Sequence, residues 1–137
     1  MIVSVHQPHY LPWIGYFDKI DRSNVFVILD NVQYKKREFQ NRNQIKMPAG
    51  PAWLTVPVIT HGHYEQMTGE VRIDPTDNWR AKHLKSFFLN YRKAPFFDKY
   101  YQGLEELYLG GEWNLLMDLN VAMLRKFLEW LGIDIPI

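Results

Sequence analysis

Residues 1–30, MIVSVHQPHYLPWIGYFDKIDRSNVFVILD, decide the fold. Two apolar runs rich in β-branched residues, Ile2–Val5 and Val25–Leu29, stand at its two ends and predict strands. Between them, large side chains recur with the i, i+3, i+4, i+7 spacing of an amphipathic helix, and Pro12 suits the first turn of that helix. These side chains are Trp13, Tyr16, Phe17 and Ile20. The order of strand, helix and strand along the chain predicts a right-handed parallel βαβ unit whose second strand is buried on both faces.

The rest of the chain predicts a few short strands followed by helices. Extended segments are expected at residues 39–47, 53–59 and 70–73, with a turn at 48–51. Helices are expected at residues 79–91, 95–108 and 116–130, the first capped within 74–77 and the last stopped by Gly132. The fold class is therefore α/β. An N-terminal βαβ unit of a small, mostly parallel sheet precedes a helical C-terminal half, in a single domain over residues 1–137.

The composition excludes several classes of protein. With 47% hydrophobic residues in 137, the chain can bury a core and is not intrinsically disordered. The absence of cysteine excludes disulfides, thiolate metal sites and cysteine nucleophiles. The apolar runs are too short to cross a bilayer, and the first residues do not resemble a secretory signal. We therefore expect a cytoplasmic protein without membrane insertion.

The charge distribution favours an anionic ligand. The net charge is only +1, but bases concentrate in residues 35–46 and 79–93, whereas acids prevail from residue 98 onward. Concentrated positive potential suits a phosphate or another small anion. We expect no nucleic-acid partner, because the total charge is nearly neutral and the C-terminal part is acidic.

The loop HQPHYLPW, residues 6–13, is the first candidate site. It follows the first predicted strand and leads into a helix, a position where α/β sheets bind ligands and helix N-termini favour anions. His6 and His9, three residues apart, could stabilise charge in a phosphoryl or nucleotidyl transfer. Their spacing is similar to the His-x-Gly-His signature of nucleotidylyltransferases, with Pro8 in place of glycine. The alternative is that His6 is a hydrogen-bonded structural residue.

Two further segments could contribute to the same site. Asp30 ends the second strand, so it should share a sheet edge with His6 and could act as a base or bind a hydroxyl group, an amine or a metal ion; it could equally cap a loop. In the segment NRNQIK, residues 41–46, Arg42 and Lys46 alternate with amides and form a grip for phosphate. His61 and His63 have no third ligand nearby in the sequence, so no metal site is expected.

Three blocks resemble the WbqC-like family of bacteria. They are VHQPHYLPWIGYFDKI (5–20), FVILDNVQYKKREFQNRNQIK (26–46) and WLTVPV (53–58). The resemblance implies a role in clusters for O-antigen and other surface polysaccharides, in a cytoplasmic step on a sugar nucleotide. An acyl or aminoacyl transfer to an amino sugar is one such step. Because members of the family usually run longer, the resemblance also implies an incomplete, N-terminal portion of a longer domain.

The resemblance and the motifs together define the candidate residues. The candidate catalytic residues are His6, His9 and Asp30. The candidate ligand-binding residues are Gln7, Tyr10, Gln33, Tyr34, Lys35, Asn41, Arg42, Asn43 and Lys46. Tyr10 or Trp13 could stack on a base or a sugar. No cofactor is assigned.

Three functions stay open at this point. The first is a transferase acting on a nucleotide-linked amino sugar, and the second is an accessory protein that binds the same ligand without turnover. The third is a nucleotidylyltransferase-like enzyme that uses the two histidines. In addition, Ile133–Ile137 alternates like the start of a strand, which predicts either a homodimer or docking against the sheet edge.

Overall fold

The structure, a computed structural model, describes all residues from Met1 to Ile137 and begins with the expected βαβ unit. Strand β1 (Val3–His6) is followed by helix α1 (Ile14–Asp21) and strand β2 (Val25–Ile28). The two strands are parallel, in a register that pairs Val3 with Val25 and His6 with Ile28. Helix α1 begins at Ile14 with Trp13 as its N-cap, so Pro12 lies just before the helix and not in its first turn.

The sheet of β1 and β2 is covered on one face only. Phe26 points to the covered face, where it packs against α1 and the last helix of the chain. The side chains around it are Tyr16, Phe17, Ile20, Leu124 and Leu128. On the opposite face Val3, Val5 and Val27 are 51%, 42% and 41% exposed. The expectation that the second strand is buried on both faces is therefore wrong, because no layer of this chain covers the valine face.

A hairpin forms the second sheet. Strands β3 (Arg42–Met47) and β4 (Gly50–Thr55) are antiparallel, and Pro48 and Ala49 connect them. Gly50 has φ +119°, a conformation that residues with a side chain rarely adopt. The two sheets are separate, so the parallel pairing is limited to β1 and β2.

The chain between β4 and the helices is less regular than expected. Strand β4 ends at Thr55, two residues before Pro57, and a short 3-10 turn occupies Thr68–Glu70. Residues 70–73 form no strand; only isolated bridges occur there, between Val58 and Ile73 and between Arg72 and Leu115. Pro57 has no backbone N–H to donate, and this limits strand pairing beyond the end of β4.

Three helices complete the fold and confirm the helical C-terminal half. They are α2 (Trp79–Tyr91), α3 (Phe97–Gly110) and α4 (Leu116–Leu131). Asn78 stands at the N-cap of α2, later than the expected 74–77, and Gly132 ends α4 in the left-handed conformation with φ 71°. The larger of two cores joins the hairpin to these helices. No helix has the length and the apolar content needed to cross a membrane.

The C-terminal segment lies against the free edge of β2. The N–H of Phe26 donates to the carbonyl of Pro136 at 2.9 Å. Ile133, Ile135 and Ile137 pack on the core formed by α1, β2 and α4. Of the two outcomes expected for this segment, the structure shows docking against the sheet edge.

Candidate functional site

The two parallel strands bring His6 and Asp30 to the same edge of the sheet, the one formed by the carboxyl ends of β1 and β2. His6 is the last residue of β1, and its carbonyl accepts a hydrogen bond from the N–H of Leu29 at 2.9 Å. Asp30 follows Leu29 in the chain and is exposed. Its backbone carbonyl accepts from Gly69 at 2.8 Å, whereas its carboxylate forms no salt bridge. This carboxylate is thus available to a ligand at the sheet edge.

His6 and His9 form a pair inside the loop. Their ring centroids are 4.6 Å apart in an edge-to-face arrangement, and the Tyr16 ring lies 5.0 Å from His6 and 5.4 Å from His9. The carbonyl of Gln7 holds this group together, because it accepts from the Tyr16 hydroxyl at 2.9 Å and lies 3.0 Å from His6 Nδ1. Gln7 therefore serves the loop through its main chain.

The environment of His9 keeps its imidazole neutral. Burial, and secondly the nearby His6, lower the pKa of His9 to about 4. Its Nδ1 is buried and has no hydrogen-bond partner. A neutral imidazole has a single N–H, and Pro8 has none. The loop therefore offers a phosphate fewer donors than the glycine-containing signature of nucleotidylyltransferases.

Exposed aromatic rings connect the histidines to Arg42. Phe39 lies 6.0 Å from His9 and 6.0 Å from Trp53, and the guanidinium of Arg42 lies 4.2 Å from the centre of the Trp53 ring. Phe39 is 46% and Trp53 44% exposed. We call these five residues, His6, His9, Phe39, Arg42 and Trp53, the histidine–arginine surface. Sequence reasoning missed Phe39 and Trp53 as site residues.

Arg42 is fixed in place but keeps donor capacity. Its Nη2 donates to the carbonyl of Arg37 at 2.5 Å, while its Nε is buried without a partner. An unpartnered buried donor is costly unless a ligand or water satisfies it. Lys35 and Lys46 are exposed nearby along the chain, and Lys46 uses only its backbone N–H, which donates to the Tyr91 hydroxyl at 2.9 Å.

Two tyrosines expected to bind ligand lie in the core instead. Tyr10 is fully buried, and its hydroxyl is hydrogen-bonded to His83 Nδ1 at 2.6 Å and to the Tyr108 hydroxyl. Tyr34 is 7% exposed, and burial raises its pKa to about 12. Both rings are buried, so neither Tyr10, a stacking candidate, nor Tyr34 presents a ring face at the surface. Trp13, the other stacking candidate, is 62% exposed.

The buried partner of Tyr10 was not predicted from the sequence. His83 Nε2 lies 3.1 Å from the carbonyl of Thr55, and burial lowers the pKa of His83 to about 4. The spacing of Trp79, His83 and Phe87, four residues apart on α2, is the signal that places this histidine on the buried stripe.

The asparagines of the NRNQIK segment bind backbone groups. Asn41 Nδ2 donates to the carbonyl of Val56 at 3.0 Å, which joins β3 to the chain after β4. Asn43 Nδ2 donates to the carbonyl of Leu11 at 2.6 Å and lies 3.4 Å from that of Tyr10. Both Nδ2 groups thereby fix the shape of the site, whereas Asn41 Oδ1 is buried without a partner.

The remaining candidates are peripheral. Gln33 is exposed, and its Nε2 donates to the carbonyl of Tyr64 at 3.4 Å. His61 and His63 are exposed in the loop after β4. The structure contains no group of three His, Asp or Glu side chains that could hold a metal ion.

Comparison with known proteins agrees with the three sequence blocks. The model of the WbqC-like protein family matches residues 7–137. Uncharacterized protein Rv1507c of Mycobacterium tuberculosis is 39% identical over 132 residues, which cover 96% of this chain and 57% of that protein. The chain therefore spans little more than half the length of this relative. No solved structure matches the chain. On the family match and the identity to this relative, the chain belongs to the WbqC-like protein family.

Proposed function

We propose that the histidine–arginine surface binds a nucleotide-linked sugar and that the protein is a transferase acting on it. One observation carries the proposal: two exposed aromatic rings, Phe39 and Trp53, lie beside buried nitrogens of His9 and Arg42 that have no partner. Exposed rings suit the flat face of a base or a sugar, and the unpartnered Arg42 Nε–H suits a phosphate oxygen, while the neutral His9 ring suits a hydroxyl group that can donate or accept. A ligand that carries both groups matches the surface in full.

The charges around the surface favour a pyrophosphate. Arg42 presents a planar guanidinium that can bind two phosphate oxygens at once, and its stacking on Trp53 fixes the orientation of that plane. Lys35, Lys36 and Lys46 are exposed on the same stretch of chain. They raise the local positive potential without being held in ion pairs.

The transfer itself is assigned to the sheet edge. In the reaction that we propose, the amine of a nucleotide-linked amino sugar attacks the carbonyl carbon of an activated acyl or aminoacyl donor. The new C–N bond forms as the donor's leaving group departs, and Asp30 accepts the proton that the amine loses. Asp30 suits this role because its carboxylate is exposed and unpaired at the edge it shares with His6. The resemblance to the family connects such a step, carried out on a sugar nucleotide in the cytoplasm, with the biosynthesis of surface polysaccharides.

Binding without turnover is the second candidate function. It is favoured by the hydrogen bonds of the histidines, none of which goes to a serine or threonine hydroxyl. The chain also has no cysteine. A covalent acyl-enzyme therefore has no evident nucleophile here. Asp30→Asn separates the two functions, because it should abolish turnover in a transferase while leaving ligand affinity unchanged.

Thermal unfolding with a panel of ligands tests the proposed binding. UDP-N-acetylglucosamine, which has the N-acylated sugar that the proposed transfer would form, is compared with UDP and inorganic phosphate at equal concentration. A ligand at one hundred times its Kd adds about 2.7 kcal/mol of stability. We expect the rank order UDP-N-acetylglucosamine, UDP, phosphate, and we expect Trp53→Leu to lose most of the shift. The matched control is Phe88→Leu, since Phe88 is 40% exposed and also has an arginine, Arg92, over its ring at 5.6 Å. Equal shifts in the two variants would place the ligand elsewhere.

A further inference from the structure

A second concave site adjoins the NRNQIK segment. It is an open cavity of about 410 Å³ between β3 and the corner that joins α2 to α3. Eleven of its thirteen lining residues are hydrophobic, and none is charged. Leu11, Ile45, Tyr91, Phe96 and Leu104 are among them, and Gln44 stands at the rim. Volume and lining are those of a small-molecule site.

The hydroxyl groups of two of its three tyrosines are occupied elsewhere. The Tyr91 hydroxyl accepts from the N–H of Lys46 at 2.9 Å, and the Tyr101 hydroxyl donates to the carbonyl of Leu84 at 3.3 Å. Both tyrosines therefore contribute ring surface to the cavity while their hydroxyl groups serve the fold. The interior suits the part of a ligand that has no hydrogen-bonding groups.

A cation stands beside the rim of the cavity. Lys46 is two residues from Gln44 on the same face of β3, which corresponds to about 6.6 Å along a strand, and its N–H donates to the hydroxyl of the lining residue Tyr91. A neighbouring groove of about 660 Å³ shares Tyr100 and Phe127 with the cavity but is lined by the carboxylates of Asp18 and Asp21. An anionic head group is thus attracted to the rim beside Gln44 and repelled from the neighbouring groove.

We infer that this cavity binds the acyl chain of an amphiphilic ligand whose anionic head lies at the rim beside Gln44 and Lys46. The inference names the apolar substrate of the proposed transferase, the acyl donor, and in that sense rests on the proposed function. The cavity and the histidine–arginine surface both adjoin strand β3, the cavity through Gln44 and Ile45 and the surface through Arg42. An acyl group held in the cavity is thereby presented beside the surface that holds the sugar nucleotide.

Calorimetric titration of the full chain with straight-chain carboxylates tests the inference. Hexanoate, octanoate and decanoate are used below their micellar concentrations. Burial of one CH₂ group changes affinity about fourfold, so each step of two methylenes should tighten binding about fifteenfold. Leu104→Trp, which fills the cavity, should weaken decanoate binding at least tenfold. Leu109→Trp adds the same bulk to α3 at a residue 60% exposed outside the cavity and should leave binding unchanged.

A second variant, Phe96→Ala, keeps the test decisive if Leu104→Trp does not fold. Phe96 is 68% exposed, so Phe96→Ala should fold normally and still weaken decanoate binding severalfold. The inference is overturned if affinity does not depend on chain length, or if Leu104→Trp and Leu109→Trp bind decanoate equally. It is also overturned if the wild type dimerises in sedimentation experiments and Phe96→Ala does not, because the cavity then binds a second copy of the chain. If the wild type does not bind decanoate but UDP-N-acetylglucosamine still raises its thermal stability, this inference is contradicted and the proposed function stands.

Discussion

Arg42 lies with its guanidinium 4.2 Å from the centre of the Trp53 ring, across the hairpin of β3 and β4. The contact holds a long, flexible side chain in one orientation before any ligand arrives, so less conformational entropy is lost on binding. The same contact makes Trp53 part of the site. A charged group and a flat apolar ring in one place are what a nucleotide-linked sugar requires.

Asn43 should prove essential for the shape of the loop HQPHYLPW. Its amide donates to the carbonyl of Leu11, whose φ of 47° is unusual for a residue with a side chain. Asn43→Asp replaces the donor by a carboxylate that faces carbonyl oxygens, so we expect a loss of about 1–3 kcal/mol in the free energy of unfolding. Urea denaturation measures this loss.

Asn24→Asp is the control for that substitution. Asn24 uses its side-chain oxygen, which accepts from the N–H of Ile2 at 2.7 Å, and aspartate keeps this acceptor. The control should therefore change the free energy of unfolding by less than about 0.5 kcal/mol. Equal losses in the two variants would show that the tether from Asn43 to the loop is unimportant.

His83 should make stability depend on pH. Burial lowers the pKa of folded His83 from 6.5 to about 4, although the hydrogen bond to Thr55 partly opposes this shift. Between those values the unfolded chain binds a proton that the folded chain refuses. The stability contributed by the neutral imidazole is therefore complete above pH 6.5, falls as the pH drops toward 4 and is constant below it. At about 1.36 kcal/mol per pKa unit, the total effect is about 3 kcal/mol.

Comparison with His83→Gln isolates this contribution, because carboxylates titrate alike in both proteins. The wild type should be the more stable protein at pH 7, and the difference in free energy of unfolding should shrink steadily down to pH 4. A difference that stays constant over this range would mean that His83 is not held neutral in the folded protein.

Gly103 should be intolerant of a side chain. A Cβ atom there would lie 2.6 Å from Trp130 Cζ2, so the Trp130 ring would have to move away from α3. Gly110, on the same helix, has no atom within 4 Å of the corresponding position. We expect Gly103→Ala to be less stable than Gly110→Ala by about 1–3 kcal/mol in thermal or urea unfolding. Equal stabilities would contradict the close approach of Trp130 to α3.

The periodicity of apolar residues predicted the strands and helices better than it predicted which of their faces are buried. The two apolar runs and the stripe between them were sufficient for the parallel pair of β1 and β2, because local pattern and connection length restrict the topology strongly. Exposure of Val27 could not be predicted in this way. An apolar run indicates a strand that can be covered on both faces, but what covers it depends on other elements.

The candidate site was predicted in part, and the residue types explain which of its residues were recognised in the sequence and which were missed. A histidine or an arginine after a strand indicates a site because its chemistry is scarce elsewhere. Amides and tyrosines are ambiguous, since the groups that bind ligands also bind backbone carbonyls; Asn43 and Tyr10 are examples. Phe39 and Trp53 were missed because an aromatic residue in a sequence favours the core, and only the packed structure shows their rings exposed.

Calorimetric titration of Arg42→Ala with UDP-N-acetylglucosamine tests the central claim most directly. Arg92→Ala is the control, because Arg92 also lies over an aromatic ring, Phe88, at 5.6 Å. Loss of a bidentate contact to phosphate corresponds to about 1.5–3 kcal/mol, so Arg42→Ala should bind at least tenfold more weakly than the wild type. Arg42→Lys should restore little of the affinity, and Arg92→Ala should bind like the wild type. Unchanged affinity in a folded Arg42→Ala variant would contradict the histidine–arginine surface as the site of the sugar nucleotide.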